Sequence, residues 1–82
     1  MPDIYELIQR MRRQPNHVRF KDADRVARFF FGPPRIHGSH HVFHTSWPGD
    51  PRVNIQDRSG FVAPYQIKQL LAAVERRTSD GS

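Results

Sequence analysis

Arg35-Ile36-His37-Gly38-Ser39-His40-His41-Val42-Phe43-His44-Thr45 is the stretch whose reading decides the fold. Its residues follow no helical period. Arg35 to His37 and His40 to Thr45 read as two strands, and Gly38-Ser39 between them is a two-residue hairpin turn with glycine at its first central position. Such a turn fixes the pairing: His37 with His40, Ile36 with His41, Arg35 with Val42, Pro34 with Phe43. Directly paired residues share a face, and neighbours along a strand alternate faces. Ile36, His41 and Phe43 therefore belong to the core side, and Arg35, His37, His40, Val42 and His44 to the other. A slip of one residue would exchange the two sets. Val42 among the polar residues and His41 among the apolar ones are the awkward members of this assignment.

Downstream, Trp47-Pro48-Gly49-Asp50-Pro51 reads as a tight loop into a third strand, Arg52 to Gln56. Val53 and Ile55 turn inward there, and Arg52, Asn54 and Gln56 turn outward. Asp57 to Gly60 is a further turn. The last helix begins near Pro64, a favourable first-turn residue, with Ile67, Leu70, Leu71 and Val74 as its apolar face.

Upstream, Gly32-Pro33-Pro34 stops a helix running from about Asp22 to Phe31, whose Ala23, Val26, Ala27 and Phe30 repeat at helical spacing. Val18-Arg19-Phe20 before it reads as extended. The first helix spans about Asp3 to Arg13, with Ile4, Leu7, Ile8 and Met11 on one face. Asp3 and Glu6 form a capping pair, and Arg10, Arg12 and Arg13 suit the negative end of the dipole. The predicted order is α-α-β-β-β-α, an α+β two-layer sandwich with helices on one face of a three-stranded antiparallel sheet. Residues 1–77 make a single domain and residues 78–82 a disordered tail.

The chain has 82 residues and no cysteine, so a thin core must hold without disulfides, and no thiolate is present for zinc. No run is apolar enough for a membrane span or a signal peptide, and a cytoplasmic protein is expected. Thirteen basic residues stand against eight acidic ones, and eleven of the thirteen are arginine, whose planar fork suits phosphate. With a net charge of +5, a polyanion is the first partner to consider, though charge alone weighs an acidic protein partner or a plain solvated surface about equally.

Four histidines, His37, His40, His41 and His44, fall within eight residues. Zinc held by His37, His40 and His44 is one reading, but the only other nearby zinc donor is Asp50. Ordinary polar strand residues are another. His17, alone ahead of the extended piece, reads as a surface residue.

The stretch from Arg35 to Phe43 resembles the signature of the HicA toxins of bacterial and archaeal toxin–antitoxin modules. So do Val53-Asn54-Ile55-Gln56-Asp57-Arg58-Ser59-Gly60 and the following Ala63-Pro64-Tyr65-Gln66-Ile67-Lys68-Gln69-Leu70. The likeness extends over nearly the whole chain, to about Arg77. It implies a double-stranded-RNA-binding-like fold and a metal-independent endoribonuclease, an mRNA interferase without cofactor, held inactive by a HicB-like antitoxin. The histidine after Gly-Ser is the family's catalytic residue and falls on His40. Two departures stand out. The link between Gly32 and Gly38 is short and carries two prolines, and Phe61, Val62 and Ala63 replace basic residues before Pro64-Tyr65-Gln66.

A single imidazole can take the proton from an RNA 2′-hydroxyl, and an unperturbed one titrates near pH ~6.5. Gly38 would allow close backbone approach, Ser39 would orient a phosphate or the ring, and Arg35 would face the growing phosphorane charge. His37 is the candidate second proton-transfer group. Two other functions compete. One is an RNA-binding module that does not cut, since open sheet faces often bind without chemistry. The other is a protein-docking domain using Phe61, Val62 and Trp47, large apolar residues placed in loops; Phe61-Val62, standing where the resemblance has basic residues, is expected to lie against the antitoxin, with capping of the core as the plainer role.

Overall fold

The structure, a computed structural model, describes residues 3–45 and 52–79. Helix α1 (Ile4–Arg13) opens with Asp3 as its cap, the carboxylate accepting from Glu6 N–H at 2.8 Å. Leu7, Ile8 and Met11 are buried and Ile4 is partly so, as the spacing predicts. A single 3-10 turn, Pro15–His17, leads to α2 (Phe20–Phe31), in which Ala23, Val26 and Ala27 are buried. Strands β1 (Arg35–His37), β2 (His40–Phe43) and β3 (Val53–Gln56) form one antiparallel sheet in the order β1-β2-β3. Helix α3 (Pro64–Ser79) closes the fold. The element order and layering are those expected from the sequence.

Helix α2 packs on β2 and β3, and α3 packs on β3, all against one side of the sheet. Helix α1 rests on α2 and α3 rather than on the strands. Phe43, Val53 and Ile55 from the sheet meet Val26, Ile67 and Leu70 in the shared core, each at most 2% exposed. No helix among the described residues is long and apolar enough to cross a membrane.

Four expectations need correction. Ile36, assigned to the core side, stands on the edge strand β1 at 58% exposure and takes no part in the buried core, because the helices pack on β2 and β3 and leave β1 uncovered. Helix α2 begins two residues early, at Phe20 instead of Asp22. Asp is a favoured cap, but here Arg19 occupies that position without a side-chain bond, and Phe20 N–H is satisfied by Gly60 O at 2.8 Å. A tertiary partner has replaced the local one. Next, Thr78 and Ser79, assigned to the tail, belong to α3, and Thr78 Oγ1 donates to the Val74 and Glu75 carbonyls. Residues 80–82 lie outside the described residues.

The largest change concerns Phe61-Val62. Val62 is a core residue, 3% exposed, and its N–H donates to Val18 O at 3.0 Å. Arg19 and Phe61 form an isolated antiparallel bridge beside it. The chain from Gly60 to Val62 thus pairs with the segment entering α2, and Val62 fills the core and is not available to a partner. Phe61 remains 45% exposed. The expected loop from Trp47 to Pro51 lies outside the described residues.

Candidate nucleic-acid interface on the open sheet face

The hairpin register is the predicted one: Arg35 opposite Val42, Ile36 opposite His41, His37 opposite His40. Gly38 makes the turn possible. Its φ is +60°, and a Cβ built there would meet nothing within 4 Å, so glycine is required for backbone conformation and not for space. On the other side of β2, His40 pairs with Gln56, Val42 with Asn54, and Phe43 with Val53.

These pairings set the open face in rows. His37, His40 and Gln56 make the row nearest the turn, and Arg35, Val42 and Asn54 make the next. His44 and Arg52 continue the outer ends of β2 and β3 on the same side, where they line a shallow concavity of about 390 Å³ with Pro33, Arg35 and Val42. Rows two residues apart are separated by roughly 6.5 Å along the strands. None of the residues in these rows is acidic.

His40 is half-buried, and its Nδ1 lies 3.3 Å from Asn54 Oδ1. An amide oxygen can only accept, so this contact places the imidazole proton on Nδ1 and leaves the Nε2 lone pair for a ligand. Arg35 sits diagonally from His40 on the other flank, a separation that long side chains span. His37 is directly across from it and exposed.

The turn is tied down from three directions. Asp57 N–H donates to Ser39 O at 2.9 Å, extending the ladder past Gln56. Gln56 Nε2 donates to Ser39 Oγ at 3.4 Å. Gln66, a buried polar residue of α3, accepts from Gln56 N–H at 3.0 Å. The Asp57 carboxylate is turned into its own loop, accepting from Gly60 N–H at 2.7 Å.

His41 does not join the site. It points at the helices, where Nδ1 lies 2.7 Å from Asp24 Oδ1 and its ring meets Phe20 edge-on at 4.7 Å. Asp24 also accepts from Arg28 Nε at 2.8 Å. A polar partner and an aromatic neighbour thus satisfy the histidine that looked misplaced on the core side.

His37, His40 and His44 share a face but do not converge. Four residue steps separate His40 from His44, roughly 13 Å of extended chain, too far for one ion. Among the described residues no three histidine or acidic side chains are placed to hold a metal. A larger groove of about 500 Å³ lies apart from the hairpin, between α1 and the start of α2, with Arg10, Arg13, His17 and Arg19 on its walls.

Sequence reasoning placed Arg35, His37, Gly38, Ser39 and His40 together, and the structure brings them to one end of one face. It did not assign Asn54 or Gln66 to the site. Asn54 carried a usable signal: an amide between two inward apolar residues, at a strand position where asparagine has little intrinsic preference. Gln66 carried none, since a buried glutamine at the start of a helix has no distinctive spacing.

Comparison with models of known protein families, with curated proteins and with solved structures returns no match to this chain.

Proposed function

We propose that this chain is an endoribonuclease that cleaves mRNA through the 2′-hydroxyl of its substrate, with His40 as the catalytic residue. The observation that carries this reading is the His40–Asn54 contact on a sheet face whose described rows carry arginine and histidine and no acidic residue. It leaves the Nε2 lone pair of His40 for a ligand, with Arg35 diagonal to it in the register, at the end of the face that the turn holds in place.

In the proposed reaction Nε2 of His40 takes the 2′-hydroxyl proton. The oxygen attacks the adjacent phosphorus, and the bond to the 5′-oxygen breaks. His37, across the hairpin, is the candidate to return a proton to that leaving oxygen. Arg35 faces the charge that accumulates on the phosphorane, where a fixed cation in a partly dehydrated setting is most effective. The products are a 2′,3′-cyclic phosphate and a 5′-hydroxyl. Because the nucleophile belongs to the RNA, no step calls for a metal-activated water.

The resemblance to HicA toxins extends the proposal to biology. The chain would act as the toxin of a type II toxin–antitoxin module, neutralised by a HicB-like antitoxin with an acidic surface. Its net charge of +5 supports both an RNA substrate and an acidic protein partner.

The test is RNA cleavage in the presence of EDTA by wild type and His40→Ala, with circular dichroism confirming the fold. Wild type should yield cyclic or 3′-phosphate ends. The variant should lose roughly 10²–10⁴-fold in rate and should no longer inhibit growth. Binding without cutting by wild type would replace the enzyme with an RNA-binding module. Products with 3′-hydroxyl ends, or activity lost in EDTA, would refute the mechanism.

A further inference from the structure

We propose that Arg19, Phe61 and Arg58 form a stacking platform for single-stranded RNA. One unpaired base of a segment flanking the cleaved bond lies on the Phe61 ring, and the phosphates to either side of it meet the two guanidinium groups. The inference rests on the ribonuclease reading. It adds a second contact site beyond the hairpin turn and a preference for unpaired substrate.

The platform is built by two pairings that share one residue. Phe61 bridges antiparallel to Arg19 on one flank and to Arg58 on the other. Phe20 N–H donates to Gly60 O at 2.8 Å and Val62 N–H to Val18 O at 3.0 Å, so Arg19 and Phe61 are opposed without backbone bonds to each other. Pairs of that kind stand about 4.5 Å apart at Cα, the closer of the two antiparallel spacings. Arg58 and Phe61 exchange both backbone bonds, which sets them about 5.5 Å apart. Directly opposed residues share a face, so the ring stands between two arginines in a row about 10 Å wide at the backbone. Val18 and Val62 are buried, whereas Arg19, Phe61 and Arg58 are exposed.

The row is held in shape from behind. Ser59 and Gly60, at φ of 52° and 90°, make the two-residue turn that joins Arg58 to Phe61. Asp57 closes it by accepting from Gly60 N–H at 2.7 Å, which turns the carboxylate next to Arg58 into the loop. Among the described residues no ion pair engages Arg19 or Arg58, and no ring contact engages Phe61.

An aromatic ring 45% exposed between two such cations suits a ligand with a flat π-face and an anion in every repeat. Single-stranded nucleic acid offers both, since every base stacks on a ring and the guanidinium fork takes phosphate bidentately. An apolar protein anchor would cover the ring and leave the cations unmatched. Bases within a duplex keep their faces stacked, so the platform selects unpaired RNA. Its position ties it to the site. Asp57 N–H holds Ser39 O at the hairpin turn, and Arg58 follows Gln56, the partner of His40, by two residues, at most roughly 7 Å of chain. On the far flank Arg19 is the rim of the groove walled by Arg10, Arg13 and His17, whose one acidic residue is Asp22.

The probe is a fluorescent single-stranded RNA spanning a mapped cleavage position, with a 2′-O-methyl group at the scissile nucleotide so that binding is read without cutting. One abasic nucleotide is walked through the flanking positions, and each oligonucleotide is titrated against wild type, Phe61→Ala and Phe61→Trp. The expected result is one flanking position at which loss of the base weakens wild-type binding at least about fivefold. Phe61→Ala should show a loss of that size with the intact RNA and no further loss at that position. Phe61→Trp, which restores a ring, should bind at least as well as wild type. Arg19→Gln and Arg58→Gln should each lower the slope of log affinity against log salt by about one contact.

Unchanged binding by Phe61→Ala, or losses that simply add at every position, would overturn the platform and leave the ring to a protein partner. If His40-dependent cleavage persists in that case, the ribonuclease reading stands without it. RNA held but never cut, with the same loss in Phe61→Ala, would keep the platform and remove the ribonuclease. If wild type neither holds nor cuts RNA, both fall.

Discussion

Asn54→Ala is the substitution that most directly separates a positioned imidazole from one that is merely present. Asn54 Oδ1 accepts from His40 Nδ1 at 3.3 Å, at the long end for such a bond, and in a half-buried setting. A hydrogen bond of this kind has a net worth of about 0.5–1 kcal/mol. At about 1.4 kcal/mol per tenfold, that alone is a change of roughly two- to fivefold in the fraction of rings presenting the Nε2 lone pair. Ring rotation freed by the loss adds to this, so kcat should fall up to about tenfold, with KM little changed. The effect must stay well below that of His40→Ala, which removes the base itself. Asn54→Asp supplies the second arm. A carboxylate beside Nδ1 favours the imidazolium, which raises the pH at which the base form appears. The acid limb of the rate profile should therefore move to higher pH than in wild type, with activity recovering on the alkaline side. Cleavage rates of both variants across pH 5 to ~9, where histidine titrates, would decide the matter. Wild-type kcat for Asn54→Ala and an unshifted profile for Asn54→Asp would show that the contact does not set the tautomer.

Two further outcomes follow from the fold. Val62→Asp should leave the chain unfolded by circular dichroism, because a 3% exposed side chain is replaced by a carboxylate whose burial costs several kcal/mol, comparable with the whole stability of a small domain. Phe61→Asp, at a 45% exposed neighbour, should keep the fold, and equal melting of the two would contradict the placement of this segment. Gly38→Ala should lose about 1 kcal/mol in denaturant titrations, since φ is +60° there and the added Cβ gains no contact. A stabilised variant would show that the turn is not as described.

The sheet was legible because its information is local. Two turn residues set the pairing of β1 with β2, and strict alternation of Val53 and Ile55 then oriented β3. The same holds for the helices, whose apolar residues recur at a spacing that only a helix places on one face. What the sequence concealed is pairing between distant segments. Val62 N–H meets Val18 O, and Phe20 N–H meets Gly60 O, each pair forty or more positions apart in the chain. Neither segment is long enough to show a period, so Phe61-Val62 looks like a loop until its partner is in view. His41 is a similar case. Its acceptability on the core side depends on Asp24, which lies in α2 and gives no sign of its role through spacing within the strand.

The site was legible as a set of residues but not as a mechanism of support. The hairpin motif names His40 and its neighbours, yet a two-residue turn at the exposed end of a sheet would by itself hold an imidazole loosely. Precision comes from behind. Gln66 is 4% exposed and fixed in the first turns of α3, and its acceptor oxygen captures the Gln56 N–H that an edge strand would otherwise leave to water. Gln56 in turn reaches Ser39, and Asp57 N–H holds the Ser39 carbonyl. The buried helix thus anchors the end of β3, β3 anchors the turn, and the turn places His40 against Asn54. This chain of contacts assigns Gln66 a purpose that an apolar residue of equal size could not serve. Leucine there would fill the core but leave a donor at the strand end unpaired, at a cost of about 1–3 kcal/mol where water is excluded.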